Sequence, residues 1–170
     1  DARGRHTYVE RFIHSEIFRA RPDVMSIIHS HSPALIPFGV TGARLRPICH
    51  MSGFLGATTP VYEIRAHAGE STDLLISSQA LGESLAQVLG SASVALMRGH
   101  GSVTVGNSIK QAVFRGIYTE NNARLQSEAA RLGDINFLTE AEAQATADMN
   151  DRHLDRPWEM WKRNALRRNA

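Results

Sequence analysis

Two β-type runs, Ser93-Val94-Ala95-Leu96-Met97 and Ser102-Val103-Thr104-Val105, stand on either side of Arg98-Gly99-His100-Gly101. Glycines around a single residue let a backbone reverse sharply, so the two runs read as a hairpin. Strands and helices alternate along the rest of the chain, a pattern that ordinarily implies a parallel sheet. An antiparallel hairpin excludes the all-parallel solution. The expected fold is α/β, with a mixed, largely antiparallel sheet carrying helices on both faces.

The remaining elements follow from periodicity and punctuation. Val9, Phe12, Ile13, Ile17 and Phe18 fall at helical spacing and predict a helix over residues 9–19, which Arg21-Pro22-Asp23 stops. A strand follows over residues 24–31. Ser32-Pro33 then starts a short helix, an N-cap with proline at the first position. Residues 45–51, broken by Pro47, are either a short strand or an extended loop. Residues 53–60 read as loop and residues 61–65 as strand. Leu81, Leu85 and Leu89 predict a helix over residues 78–89, closed by Gly90, with Ser77-Ser78 as its cap rather than a nucleophile. Residues 108–132 form a long helix capped by Gly133. Thr139 with Glu142 makes a capping box for another, and the tail is helical. There is no internal repeat.

The chemistry lies at the strand ends. In a strand, residues i and i+2 point to the same side. His29 and His31, closing the run Val24-Met25-Ser26-Ile27-Ile28, therefore aim two imidazoles at one point. His100 sits in the glycine-framed turn and offers a third. One histidine beside an apolar run is ordinarily a packed or surface residue. Two on one strand face plus a third in a tight turn make a metal site and an enzyme candidate. Three neutral imidazoles with an open position suit a catalytic ion.

Composition narrows the class. The 170 residues, 42% hydrophobic and 21% charged, suit one domain over 1–170 of ordinary globular character, with residues 139–170 as its helical tail. No run of apolar residues is long enough to span a membrane, so no membrane partner is expected. No signal peptide is visible, and because the first residue is Asp1 an N-terminal segment is expected to be missing. The one cysteine, Cys49, excludes an internal disulfide and a multi-thiolate zinc site, in keeping with a reducing cytoplasm. Net charge is +2, and arginines crowd residues 152–168 around Trp158 and Trp161. Asp148, Asp151, Asp155 and Glu159 interrupt that field, so this stretch reads as a solvated or subunit-contacting helix and no nucleic-acid partner is expected.

Glu10 leading a helix, then Arg21-Pro22-Asp23, His29-Ser30-His31, Gly99-His100-Gly101 and the long helix behind it resemble the class II aldolase/adducin family, over residues 8–132. The resemblance implies a three-layer α/β/α sandwich in tetramers, with active sites at subunit boundaries. It also implies metal binding by His29, His31 and His100. Glu10 becomes a catalytic acid/base or a fourth ligand. The ion would be Zn2+ or Mn2+, with Fe2+ and Co2+ also compatible with such a site.

Departures from the sugar-phosphate aldolases are informative. Those enzymes place a serine pair before the glutamate to hold phosphate, where this chain has Tyr8-Val9. They carry a proton-donating tyrosine after the histidine that matches His50, where this chain has Met51. The family's glycine-rich Asn-x-Ser phosphate anchor is not in this sequence. A site that keeps its metal ligands and lacks these handles is similar to the decarboxylase branch. That branch acts on 3-hydroxy-2-methylpyridine-4,5-dicarboxylate or 3,4-dihydroxyphthalate, and Tyr8-Val9-Glu10-Arg11-Phe12-Ile13-His14 and His29-Ser30-His31-Ser32-Pro33 carry the likeness.

The expected function is thus a metal-dependent decarboxylase of an ortho-hydroxylated aromatic or pyridine (di)carboxylate, acting in aromatic compound catabolism. Glu10 and His50 are the expected catalytic residues. The alternatives are a metal-dependent aldolase or epimerase on a small hydroxy-carbonyl compound, and a non-catalytic adducin-like interaction module. A small-molecule carboxylate is the expected partner, within a cytoplasmic homo-oligomer. His14 either shares the site with Glu10 or forms an exposed pair with it. His50 is either a proton relay or a packed histidine, and Tyr118 reads as packing. Arg44, Arg46, Arg65 and Arg98 have the fork that suits a carboxylate, though each alone reads as structural. His67 and His153 read as surface residues.

Overall fold

The computed structural model describes residue 4 and residues 7–168. Four strands form one sheet: β1 (Ser26–Ser30), β2 (Val61–Tyr62), β3 (Val94–Met97) and β4 (Gly101–Gly106). Their order across the sheet is β1-β4-β3-β2. β4 pairs antiparallel with both β1 and β3, and β2 joins β3 in parallel. The hairpin around His100 is the β3–β4 connection, and the sheet is mixed, as its turn required.

All four residues of β3 are buried, so the sheet must be covered on both faces. Ala95 and Met97 pack with Ile13 and Ile17 of α1 (Arg11–Ala20) and with Leu85 and Leu89 of α4 (Gln79–Leu89). Val94 and Leu96 point the other way. They join Phe38 of α2 (Ile36–Val40), Leu45, Leu55 and Ala123 of α5 (Ile109–Leu132). Each such aliphatic side chain, fully buried, contributes about 1.5–3 kcal/mol, and the strand's alternation splits that gain between two cores. Helix, sheet and helix form three layers.

Ser78 and Thr139 cap their helices as read from sequence, the latter with Glu142 in a reciprocal box at the head of α6 (Glu140–Asp151), while Ser108, expected within the long helix, is its N-cap. α7 (Asp155–Arg168) is the helical tail. Some expectations shift. The short helix expected to start at Ser32-Pro33 begins only at Ile36, with Leu35 as its N-cap residue and Pro37 in its first turn. The first helix begins at Arg11, with Glu10 as its N-cap residue. The strand predicted over residues 61–65 stops at Tyr62, because Glu63 takes the Arg65 N–H on its carboxylate and opens α3 (Arg65–Ala68). Part of the loop expected over residues 53–60 belongs to a 3-10 helix, His50–Leu55, on which α6 packs so tightly that a Cβ at Gly53 would strike Thr146 and Ala143.

The choice left open for residues 45–51 resolves as an extended loop up to residue 49, where the 3-10 helix takes over, and α5 supplies what a neighbouring strand would have supplied. Asn122 accepts from Ile48 N–H at 3.0 Å and donates to Arg46 C=O at 2.7 Å. Gln126 accepts from Arg46 N–H at 3.0 Å and donates to Arg44 C=O at 2.8 Å. Buried amides thus satisfy backbone groups that would otherwise be costly to leave unpaired.

Candidate metal centre

β1 and the β3–β4 turn end side by side, and this juxtaposition builds the site. His29 lies opposite Val103 in the β1–β4 register, and His31 follows just past the strand. Gly99 takes φ +66, the left-handed region that favours glycine. At Gly101 a Cβ would collide with Ser30 O, so only glycine lets the turn close onto the strand bearing the two histidines. Glu10 occupies the N-cap position of α1 but makes no capping bond there. Its carboxylate faces the histidines instead.

The four side chains offer ligand atoms that all lie within 4.8 Å of one another. His31 Nε2 is 3.0 Å from His29 Nε2 and 2.9 Å from His100 Nε2. Glu10 stands 3.4 Å from both His29 Nε2 and His100 Nε2, one carboxylate oxygen to each. The ring protons follow from the other side of each imidazole. His29 Nδ1 lies 3.0 Å from Ser102 O and His100 Nδ1 lies 2.9 Å from Leu74 O. A carbonyl oxygen only accepts, so both Nδ1 atoms donate, and in the neutral rings both Nε2 atoms turn lone pairs inward. Burial holds the His29 imidazolium below its ordinary pKa, with Ser102 and Glu10 opposing. Lone pairs and a carboxylate meeting at one point repel each other unless a cation sits among them.

The residues therefore fit a divalent metal. Imidazole nitrogens on one shared ion stand about 3.0–3.4 Å apart given metal–nitrogen bonds near 2.0–2.1 Å, which is close to the spacing found. Carbonyls fixing the outer ring nitrogens are the usual support for metal-binding histidines.

One segment that the sequence did not flag completes the arrangement. Leu74 has φ +69, the only non-glycine residue among those described with positive φ. Its strained backbone delivers the carbonyl that orients His100. Two residues on, Ile76 N–H donates to Glu10 Oε1 at 3.4 Å. Thr72 and Asp73 hold the segment through their own side-chain bonds to Leu74 N–H and Leu75 N–H.

Other predicted residues fall elsewhere. His50 is exposed at the start of the 3-10 helix and lies outside the cluster, its carbonyl taken by Asn150 at 2.7 Å. His14 is half-buried, edge-on to the Tyr8 ring at 6.1 Å. Burial lowers its pKa against the pull of Glu10. Arg65 and Arg98 converge on Glu63 at 2.7 and 2.8 Å. The Arg65 hydrogen bond is the main cause holding the Glu63 carboxyl down at about 2. Arg46 stacks over Phe137 and Arg44 is exposed. His67 stacks on Tyr62, and Tyr118 packs against Phe114.

Known proteins share this fold and sequence. Residues 2–127 match the Class II Aldolase and Adducin N-terminal domain family. The decarboxylase tropJ of Talaromyces stipitatus is 42% identical over 92% of this chain and 66% of its own length. The 3,4-dihydroxyphthalate decarboxylase of Rhodococcus jostii is 32% identical over 71% of this chain and 49% of its own. The chain thus spans about half to two thirds of these relatives. An aldolase II superfamily protein from Pseudomonas syringae superposes with TM-score 0.73 at 25% identity, covering 95% of this chain and 64% of that one. No described helix is long and apolar enough to cross a membrane. Fold, site geometry and these matches agree: the chain belongs to the class II aldolase/adducin family.

Proposed function

We propose that this chain carries the catalytic domain of a metal-dependent decarboxylase acting on an ortho-hydroxylated aromatic or pyridine (di)carboxylate. The observation that carries the reading is the convergence of His29, His31, His100 and Glu10 with the outer protons of two imidazoles already committed to carbonyls. The decarboxylase names of the two relatives favour this reaction over aldol cleavage. So does the presence of Tyr8-Val9 and Met51 where sugar-phosphate aldolases carry hydroxyl groups.

His29, His31 and His100 would hold the ion. Bound there, a divalent metal supplies Lewis-acid stabilisation of negative charge on an oxygen beside the reacting carbon, typically worth several kcal/mol. An aromatic ring with a hydroxyl ortho to a carboxylate becomes a β-keto acid on tautomerisation, and loss of CO2 then leaves charge next to that oxygen. Ser102 and Leu74 keep the imidazoles turned inward throughout. Glu10, half-buried and steadied by Ile76 N–H, would move a proton to the ring carbon. His50 is a second proton-transfer candidate, able to act only on a substrate or a neighbouring copy that reaches it. The reading includes a cytoplasmic homo-oligomer and one domain over residues 1–170.

The assay uses the whole protein loaded with Zn2+ or Mn2+. Hydroxylated aromatic and pyridine dicarboxylates should release CO2 in a metal-dependent way, and ketose 1-phosphates should stay intact. Efficient cleavage of a ketose 1-phosphate to an aldehyde, with no CO2 from any hydroxyarene carboxylate tested, would replace decarboxylation with aldol chemistry.

A further inference from the structure

A recess of about 480 Å³ opens between α5, α7 and the 3-10 helix, and it shares no residue with the metal cluster. Its floor is apolar: Phe114, only 2% exposed, with Met51, Tyr118 and Met160 around it. Trp161 backs this floor, 6.3 Å from the Phe114 ring and 6.2 Å from the Tyr118 ring. Such a volume falls in the range of about 300–1,000 Å³ common for small-molecule pockets.

The polar groups at the rim have one sign. Arg156 and Arg163 line the recess, and neither meets a carboxylate among the described residues. The acids nearby are engaged by other cations: Asp155 by Lys110, Glu159 by Lys162 at 3.3 Å, and Asp151 by Arg115 at 3.5 Å. Deeper in, Asn150 is 6% exposed and spends its amide hydrogens on His50 O at 2.7 Å and Thr146 O at 2.9 Å. Its Oδ1 accepts from no described residue and remains for a donor. His153 donates through Nδ1 to Met149 O at 2.8 Å, which leaves Nε2 for the recess.

We infer that this recess is a second binding site, taking a hydroxylated aromatic carboxylate. An aromatic floor covers the ring, two guanidiniums without a carboxylate partner meet the ligand's carboxylate, Arg163 keeping one N–H on Glu159 O at 3.2 Å, and the free Asn150 Oδ1 matches a hydroxyl donor. The ligand class is read from these groups, so the inference does not depend on the reaction proposed at the metal centre.

The test is calorimetric titration with 2-hydroxybenzoate on two samples of the full chain: the wild type stripped of metal by chelation, and the His31→Ala variant. Both remove the metal site as a competitor and neither needs turnover. One saturable site per chain is expected in both. The double variant Arg156→Gln, Arg163→Gln should weaken it about tenfold or more, and so should replacing the ligand by neutral 2-hydroxybenzamide. Unchanged unfolding midpoints of the double variant show that the recess, not the fold, was altered. Absence of binding in both metal-free samples overturns the inference, as does affinity indifferent to the two arginines. Either result leaves a positive CO2 assay standing, and a negative CO2 assay leaves this titration standing.

Discussion

The two ends of the sheet gather polar groups in opposite ways. At the end where β1 begins and β4 stops, Arg21 forks onto Asp23 at 2.8 and 2.7 Å and reaches Gly90 O at 2.6 Å. Arg115 donates to Val105 O at 2.9 Å and stands 3.5 Å from Asp151. Each cation there has a carboxylate of the same chain. At the other end, three imidazoles and Glu10 converge with no cationic side chain among them. One end is neutralised from within. The other gathers acceptors that a bound cation would relieve, and that difference is why we propose it, and not the first, as the functional cluster.

The comparison breaks first, and by the largest margin, at Glu10. Glu10→Gln should lower turnover by a factor on the order of 10² or more with metal content near normal. Wild-type rate in that variant removes Glu10 from the chemistry, and loss of the ion makes it a ligand instead. At the opposite end Arg115→Ala should cost about 1 kcal/mol in denaturant unfolding, because it removes the side-chain donor to the buried Val105 O, yet leave metal binding unchanged. Metal loss in that variant would mean that the two ends are coupled. The smallest effect concerns acid. The hydrogen bond from Arg21 holds the Asp23 carboxyl at about 2, below its ordinary 3.8. A depressed carboxylate stabilises the fold fully above its ordinary value and loses that contribution as pH falls through the folded one. The gap in urea midpoint between wild type and Asp23→Asn should therefore narrow as pH drops from 3.8 toward about 2. A gap that stays constant means the pair contributes nothing in solution.

Much of this arrangement was legible in the sequence because it rests on local rules. The period of two put His29 and His31 on one side, and glycines around His100 declared the turn that meets them. Helix caps at Ser78 and Thr139 are equally local. What escaped depends on backbone atoms and distant partners. Any residue has a carbonyl, so nothing in the sequence marks Ser102 or Leu74 as the group that orients an imidazole. A leucine gives no hint that its φ will be positive. Residues 45–51 carry strand-like composition, but the backbone hydrogen bonds of Arg46 and Ile48 go to Gln126 and Asn122 more than seventy positions away, and so the stretch stays a loop until the 3-10 helix begins at His50. His50 was read from its neighbourhood in sequence, whereas its place in space is set by the 3-10 helix and Asn150. Edge strand β2 is short for a related reason, since the carboxylate of Glu63 captures the next turn.

Metal content and thermal unfolding, measured together on the wild type and on the variant with His29, His31 and His100 all replaced by alanine, test the central claim most directly. The wild type should hold one divalent ion per chain and lose thermal stability on chelation, since a ligand bound only by the folded state raises its midpoint. The triple variant should hold none, should be indifferent to chelator, and should still unfold cooperatively. Stoichiometric metal in the triple variant, or a wild type that takes up no divalent ion at all, would contradict the account.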